Sequence, residues 1–255
     1  MATTTATRPG SAMWVLFYTE LKLYLREKIG PVWGIGFPLV LLIIFGSIPA
    51  MNTPQKSLSG YTTLDTYIAV IIVFSLAFVS MLALPGALAG YREKGVLRRL
   101  KTTPVGPVRV LAAQMAINVA SAVLMVILIL VVARYAYNVA FPGQLAGFIV
   151  AALLTATAMT SIGLFIAAFA PTGRSAQIIG AICFYPLMFF AGLWYPLPLM
   201  DSVLQHIARA TPLGAAVQAL DDAGGGIWPT ALQLLTLAAY TVVFGAAAAR
   251  FFRWE

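Results

Sequence analysis

Charge is what this sequence has least of: 9% of its 255 residues are Asp, Glu, Lys or Arg, and only eight of them are acidic. Soluble domains carry roughly 25% charged residues, so this chain has too little charge to coat a surface facing water. A water-soluble fold is excluded, and the bilayer must be the solvent. Cysteine occurs once, as Cys183 in an apolar segment, which excludes an intrachain disulfide or a cysteine metal cluster and leaves a small core residue. Histidine also occurs once. His206 lies near Asp201 and Arg209 and has no second His or Cys to complete a metal site, so a surface or interfacial role suits it better than catalysis. The formal net charge is +8, yet the Lys and Arg fall between apolar runs and form no patch that would track a nucleic acid.

What the sequence has in abundance is hydrophobic residues, at 61%. Crossing about 30 Å of hydrocarbon takes roughly 20 helical residues. Six apolar runs of that order occur, at Pro31 to Pro49, Tyr67 to Gly90, Val105 to Ala133, Gly143 to Ala170, Ser175 to Tyr195 and Ile227 to Ala249. The expected fold is an all-α integral membrane protein of six transmembrane helices. An even number of spans puts both termini on one side. Placing them in the cytoplasm assigns Arg8, Lys22, Arg26, Lys28, Arg92, Lys94, Arg98, Arg99, Lys101, Arg109, Arg174, Arg250 and Arg253 to the inner face and leaves only Lys56, Arg134 and Arg209 outside. Cytoplasmic loops are enriched in basic residues, which selects this orientation.

Residues 1–10 are polar and Thr-rich, without the apolar stretch and cleavage site of a secretory signal, and read as a mobile cytoplasmic tail. Next, Trp14, Phe17, Tyr18, Leu21 and Leu25 recur at helical spacing among Glu20, Lys22, Glu27 and Lys28. This describes an amphipathic interfacial helix on the inner membrane face, or else a cytoplasmic extension of the first span. Between the fifth and sixth runs, Pro196 to Gly226 is moderately apolar but broken by Pro198, Pro212 and a triple glycine. Such a segment suits short helices dipping into the outer leaflet, where each satisfies its own backbone. Asp221 and Asp222 beside the glycines read as a solvated turn.

Between the second and third runs lies Tyr91-Arg-Glu-Lys-Gly-Val-Leu-Arg-Arg-Leu-Lys-Thr-Thr-Pro104. Val96, Leu97 and Leu100 form a small apolar face, while Arg92, Glu93, Lys94, Arg98, Arg99 and Lys101 offer charge to a partner. Charge alone would equally describe a positive-inside loop. With Glu93, Gly95, Leu97, Arg98, Arg99, Thr103 and Pro104 in this order, however, the chain resembles the type-2 ABC transporter permeases, in particular the drug-export branch that includes the daunorubicin-resistance permeases. Phe190, Gly192 and Pro196 match a second pattern of that family ahead of its outer re-entrant hairpin. Thr211, Pro212, Leu213 and Gly214 stand where such permeases usually carry Asn-Pro, and the Asn is absent.

The resemblance implies that residues 11–255 form one ABC-2 type transmembrane domain in the plasma membrane. It further implies a cytoplasmic coupling helix made of Glu93, Lys94, Gly95, Val96, Leu97, Arg98, Arg99, Leu100 and Lys101. That helix would dock on a separate ABC ATPase subunit, and the partner would bind the ATP and magnesium. In this chain Gly90 and Gly95 imitate the spacing of a phosphate loop, but Val96 and Leu97 replace its Lys and Ser or Thr. No catalytic residue, cofactor or metal is expected here.

A second permease subunit, identical or homologous, is also implied, with the second and fifth spans of the pair lining the pathway. Phe74, Phe78, Met81, Phe184, Tyr185, Met188 and Phe189 would then meet an apolar cargo. Read as residues alone, they equally suit packing or lipid contact. Multidrug export, and with it antibiotic resistance, is the activity implied; export of a polysaccharide or lipid-linked glycan is the alternative. Ion coupling is disfavoured because the central spans carry no ionisable residue. Gly30 and Gly34, Gly86 and Gly90, and Gly143 and Gly147 have the four-residue spacing that lets helices approach. Pro85 and Pro186 should kink the second and fifth spans.

Overall fold

The computed structural model describes residues 32–53, 62–95, 107–195, 197 and 200–251. The N-terminal tail, the amphipathic segment around Trp14 to Lys28, Lys56 and Val96 to Lys101 lie outside the described residues. Among the described residues there are helices and no strand. A π turn at Val32–Gly36 leads into α1, Phe37–Gly46. The next helical stretch runs as α2, Thr63–Phe78, a π turn at Val79–Ala83, and α3, Leu84–Glu93. After it come α4, Pro107–Tyr137; α5, Leu145–Phe169; α6, Gly173–Phe190; α7, Ser202–Ala210; α8, Pro212–Gly224; and α9, Ala231–Phe251.

Four of these stretches are long and apolar enough to cross a membrane: Thr63–Glu93, Leu111–Tyr137, Leu145–Phe169 and Ala231–Phe251. The chain is a multi-pass membrane protein. The first expected span appears as a shorter apolar helix, Gly34–Gly46. The fifth appears as α6, 18 residues whose first turns carry Arg174, Ser175 and Gln177.

Helix ends follow local chemistry. Thr62 caps α2 through a reciprocal box, its hydroxyl accepting from the Asp65 amide at 3.2 Å while the Asp65 carboxylate accepts from the Thr62 amide at 2.7 Å. Thr172 and Ser175 do the same for α6, and Thr230 and Gln233 for α9. The last of these explains why α9 begins at Ala231 and not at Ile227: Pro229 and the Thr230 cap fix the start. α6 stops at Phe190, five residues short of the expected Tyr195. Gly192 sits at φ +84°, with its amide bonded to Phe189 and the Leu193 amide to Met188, which closes the last turn.

The Thr63–Glu93 stretch and α5 form the centre of the bundle. Of the most apolar part of the former 72% is buried, against 17% for α9, which lies along α5 at the periphery. Leu124, Ile127 and Val131 on α4 and Leu235, Val242 and Val243 on α9 are exposed, the outward apolar surface expected of helices solvated by lipid. The Gly143 and Gly147 pair is used within the chain: a side chain at either would strike Gly226 or Pro229 in the approach to α9.

Candidate functional site

The C-terminal end of α3 is built from a helix stop. Glu93 is the last helical residue, Lys94 follows, and Gly95 takes a left-handed φ of +68° while its amide bonds the Arg92 carbonyl at 3.0 Å. Glycine adopts this conformation freely, whereas other residues pay roughly 1–2 kcal/mol for it. The helix therefore ends before Val96. Of the nine expected coupling residues, Glu93, Lys94 and Gly95 are described, and Glu93 and Lys94 are exposed.

Two neighbouring side chains tie this helix end to the turn between α5 and α6. Arg92 donates from one terminal nitrogen to the Ala170 carbonyl at 2.8 Å and from the other to the Ala168 carbonyl at 3.5 Å. Those oxygens belong to the end of α5, where a helix presents unpaired carbonyls and partial negative charge. Glu93 accepts from the Gly173 amide at 3.4 Å, at the start of α6, where a helix presents unpaired amides and partial positive charge. A cation and an anion side by side thus complement the opposite ends of two consecutive helices. Close backbone packing reinforces the junction, since a side chain at Gly173 would press on the Gly86 carbonyl. By sequence Arg92 and Glu93 count among the charges offered to a partner; in the structure both bond their own chain, while Glu93 remains exposed. No sequence signal separates an arginine that caps a neighbouring helix from one that only marks the inner face.

Halfway up, the helical stretch widens. The π turn Val79–Ala83 stands immediately before Pro85, whose ring displaces the backbone ahead of it and whose nitrogen has no hydrogen to donate. The Ser80 and Met81 carbonyls project sideways here and are met by Gly163 of α5 and Gly180 of α6; a Cβ at either glycine would collide with them. The π turn is thus held in a slot between two helices. Beside it, Ser75 donates to the Gly34 carbonyl at 3.0 Å, and the Ser80 and Thr160 hydroxyls lie 3.4 Å apart. These line a polar cavity of about 20 Å3 together with Asn118 and Ser121, room for one water.

Above the slot, the expected pathway residues divide. Phe74, Met81, Phe184 and Met188 are buried, Phe78 and Phe189 are half-buried, and Tyr185 is exposed. Phe184 stands edge-on to Phe74 at 5.5 Å and to Phe78 at 6.0 Å, and Phe37 of α1 joins Phe74 at 5.6 Å. This aromatic cluster binds α1, α2 and α6 together, with Tyr185 at its open edge, 5.5 Å from Phe184. Phe189 pairs with Phe190 outside the cluster. Pro186 lies inside α6 without ending it.

At the opposite end of the Thr63–Glu93 stretch, Asp65, Asp221 and Asp222 line a cavity of about 440 Å3 with Ile68, Phe148 and Leu220. Asp221 and Asp222 occupy the last turn of α8 and not a separate turn, with Asp221 exposed as expected of a solvated position and Asp222 half-buried. Asp222 accepts from the Gln233 side chain at 2.7 Å and so fastens α8 to the start of α9. The Asp221 side chain is exposed on this cavity, yet the surrounding protein strips enough water from its carboxyl, with the Asp222 charge second, to push it up from 3.8 to about 6. His206 is exposed on α7, its Nδ1 2.6 Å from the Ser202 carbonyl. Among the described residues, no group of three or more His, Cys, Asp and Glu is placed to hold a metal ion.

A family model described as ABC-2 type transporter matches residues 11–223. No curated protein matches the chain.

Proposed function

Because that match takes in most of its length, this chain belongs to the ABC-2 type transporter family, and we propose from that premise that it is the membrane-spanning permease of an ATP-driven exporter. Its cargo is a hydrophobic drug-like or lipid-like compound, and separate ABC ATPase subunits supply the energy. Two permease subunits make one transporter. Six crossings are counted, the four long apolar helices together with α1, extended by its π turn, and α6.

The observation that supports this reading best is the charged junction at Arg92 and Glu93. The segment Glu93 to Lys101 begins where α3 ends, and α3 is fastened there to both α5 and α6. A push on the segment from the cytoplasm is delivered to three helices at once. Closure of the ATPase pair on ATP brings the two coupling segments together, narrows the inner entrance and shifts the population toward an outward-open state. The chain acts as a lever, and no covalent chemistry is assigned to it.

The test is purification in mild detergent, with identification of the co-purifying ATPase, followed by reconstitution. The double variant Glu93→Gln, Gly95→Ala is expected to assemble with the ATPase and support ATP hydrolysis while transport falls at least tenfold. Transport at the unmodified rate removes the coupling role, and transport with no ATPase present removes the whole reading.

A further inference from the structure

A crevice of about 340 Å3 lies between α5, α6 and α9 and reaches inward to Met81 in the π turn. Its walls are hydrocarbon and aromatic. Phe165 and Phe244 meet edge-on at 5.1 Å, Ile166 backs them, and Leu187 and Cys183 close the α6 side. The polar atoms within reach are the Cys183 thiol and the Tyr240 hydroxyl, and the hydroxyl already donates to the Ala210 carbonyl at 3.3 Å. An apolar cavity of this kind stays dry and accepts apolar guests, and its volume falls in the range of roughly 300–1,000 Å3 typical of small-molecule sites.

Its position says what fills it. The lining positions on α6, from Ile179 to Leu187, lie eight steps apart, or about 12 Å along the helix axis at 1.5 Å per residue, within the apolar part of α6. On the same helix Ile178 and Ile182 are exposed, at 53% and 67%, so the mouth of the crevice continues into the surface that faces lipid. A molecule entering from that side arrives as a hydrocarbon chain, already desolvated and at high local concentration. Among the described residues, those lining the crevice carry no charge to receive a headgroup.

We infer that this crevice binds one acyl chain of a bilayer phospholipid, which lies against the Phe165, Phe244 pair and reaches the π turn at Met81. The site is separate from the aromatic cluster of Phe74, Phe78 and Phe184, and it does not depend on the transport reading. The bound chain wedges α9 from α6 and completes the packing around the slot that holds the π turn.

Native mass spectrometry of the full-length protein, released from nanodiscs of phosphatidylcholine, tests this. Cys183→Trp fills the crevice, whereas Ile182→Trp places the same bulk on the neighbouring lipid-facing position. The unmodified protein and Ile182→Trp are expected to retain one phospholipid more than Cys183→Trp. Equal retention by all three overturns the inference, as does loss of the lipid from Ile182→Trp. A second measurement needs no variant, because Cys183 is the only cysteine in the sequence. A charged, water-soluble methanethiosulfonate is expected to leave it unmodified in the nanodisc. Modification at the rate of an exposed thiol shows a water-filled crevice and also overturns the inference.

Discussion

Asp221 shows how far a residue's setting can depart from what its neighbours in sequence suggest. Beside a triple glycine it reads as part of a solvated turn; it is indeed exposed, but it sits in the last turn of a helix and lines a cavity next to Asp222. Its carboxyl, raised from 3.8 to about 6, binds a proton more readily in the folded chain than in the unfolded one. The sign follows from linkage: the stabilisation is fully present below about pH 3.8, is lost as pH rises through about 6, and changes little above that. Thermal unfolding in detergent should therefore show a midpoint that falls between pH 4 and pH 6. Asp221→Asn should flatten this step, and a step of the same size in the variant would assign it to another group. Asp222, the neighbouring carboxyl, accepts from the Gln233 side chain and so joins α8 to α9.

Among the helices, the two motifs that carried the family resemblance turn out to be one physical device. In Glu93-x-Gly95 and in Phe190-x-Gly192 the first residue ends a helix and the glycine takes a positive φ, +68° and +84°, that stops it. Both motifs are recognisable in the sequence, but the apolar runs put the helix ends at Gly90 and Tyr195, because hydrophobicity does not register the left-handed glycine that stops each helix. The π turn was not legible either. Pro85 announces a disturbance in the second span, but the choice of a widened turn over a sharp bend depends on Gly163 and Gly180 on two other helices. That dependence gives a paired prediction. Gly163→Ala should destabilise by about 1–3 kcal/mol, because a side chain there overpacks a backbone carbonyl. Gly90→Ala, in the same bundle but facing open space, should stabilise by about 0.5–1 kcal/mol through helix propensity. At about 2–4 °C per kcal/mol for a chain of this size, the two unfolding midpoints should separate by several degrees. Equal midpoints would mean that the slot is not tight.

For the whole molecule the first question is orientation. On a background in which Cys183 is replaced by Ala, a cysteine at position 135, where the tyrosine at the end of α4 is 82% exposed, should react with an impermeant reagent from outside intact cells. A cysteine at position 94 should react only after the membrane is opened. The reverse pattern would invert the topology. Composition decided that this chain lives in a bilayer, because hydrophobicity at 61% with 9% charge leaves no other solvent, and the unbroken apolar runs of about 20 residues chose helices over a closed barrel. Spacing of the apolar runs located most helices to within a few residues, since caps and stops are written in adjacent side chains. Which side chains are walls and which are mortar was decided only by tertiary structure. Phe184 and Tyr185 adjoin in sequence, yet one is 2% exposed and the other 57%. Arg92 and Glu93 likewise found their partners on helices some 80 residues away. Burial and long-range pairing depend on how helices face one another, and in an apolar chain every face carries nearly the same hydrophobic signal.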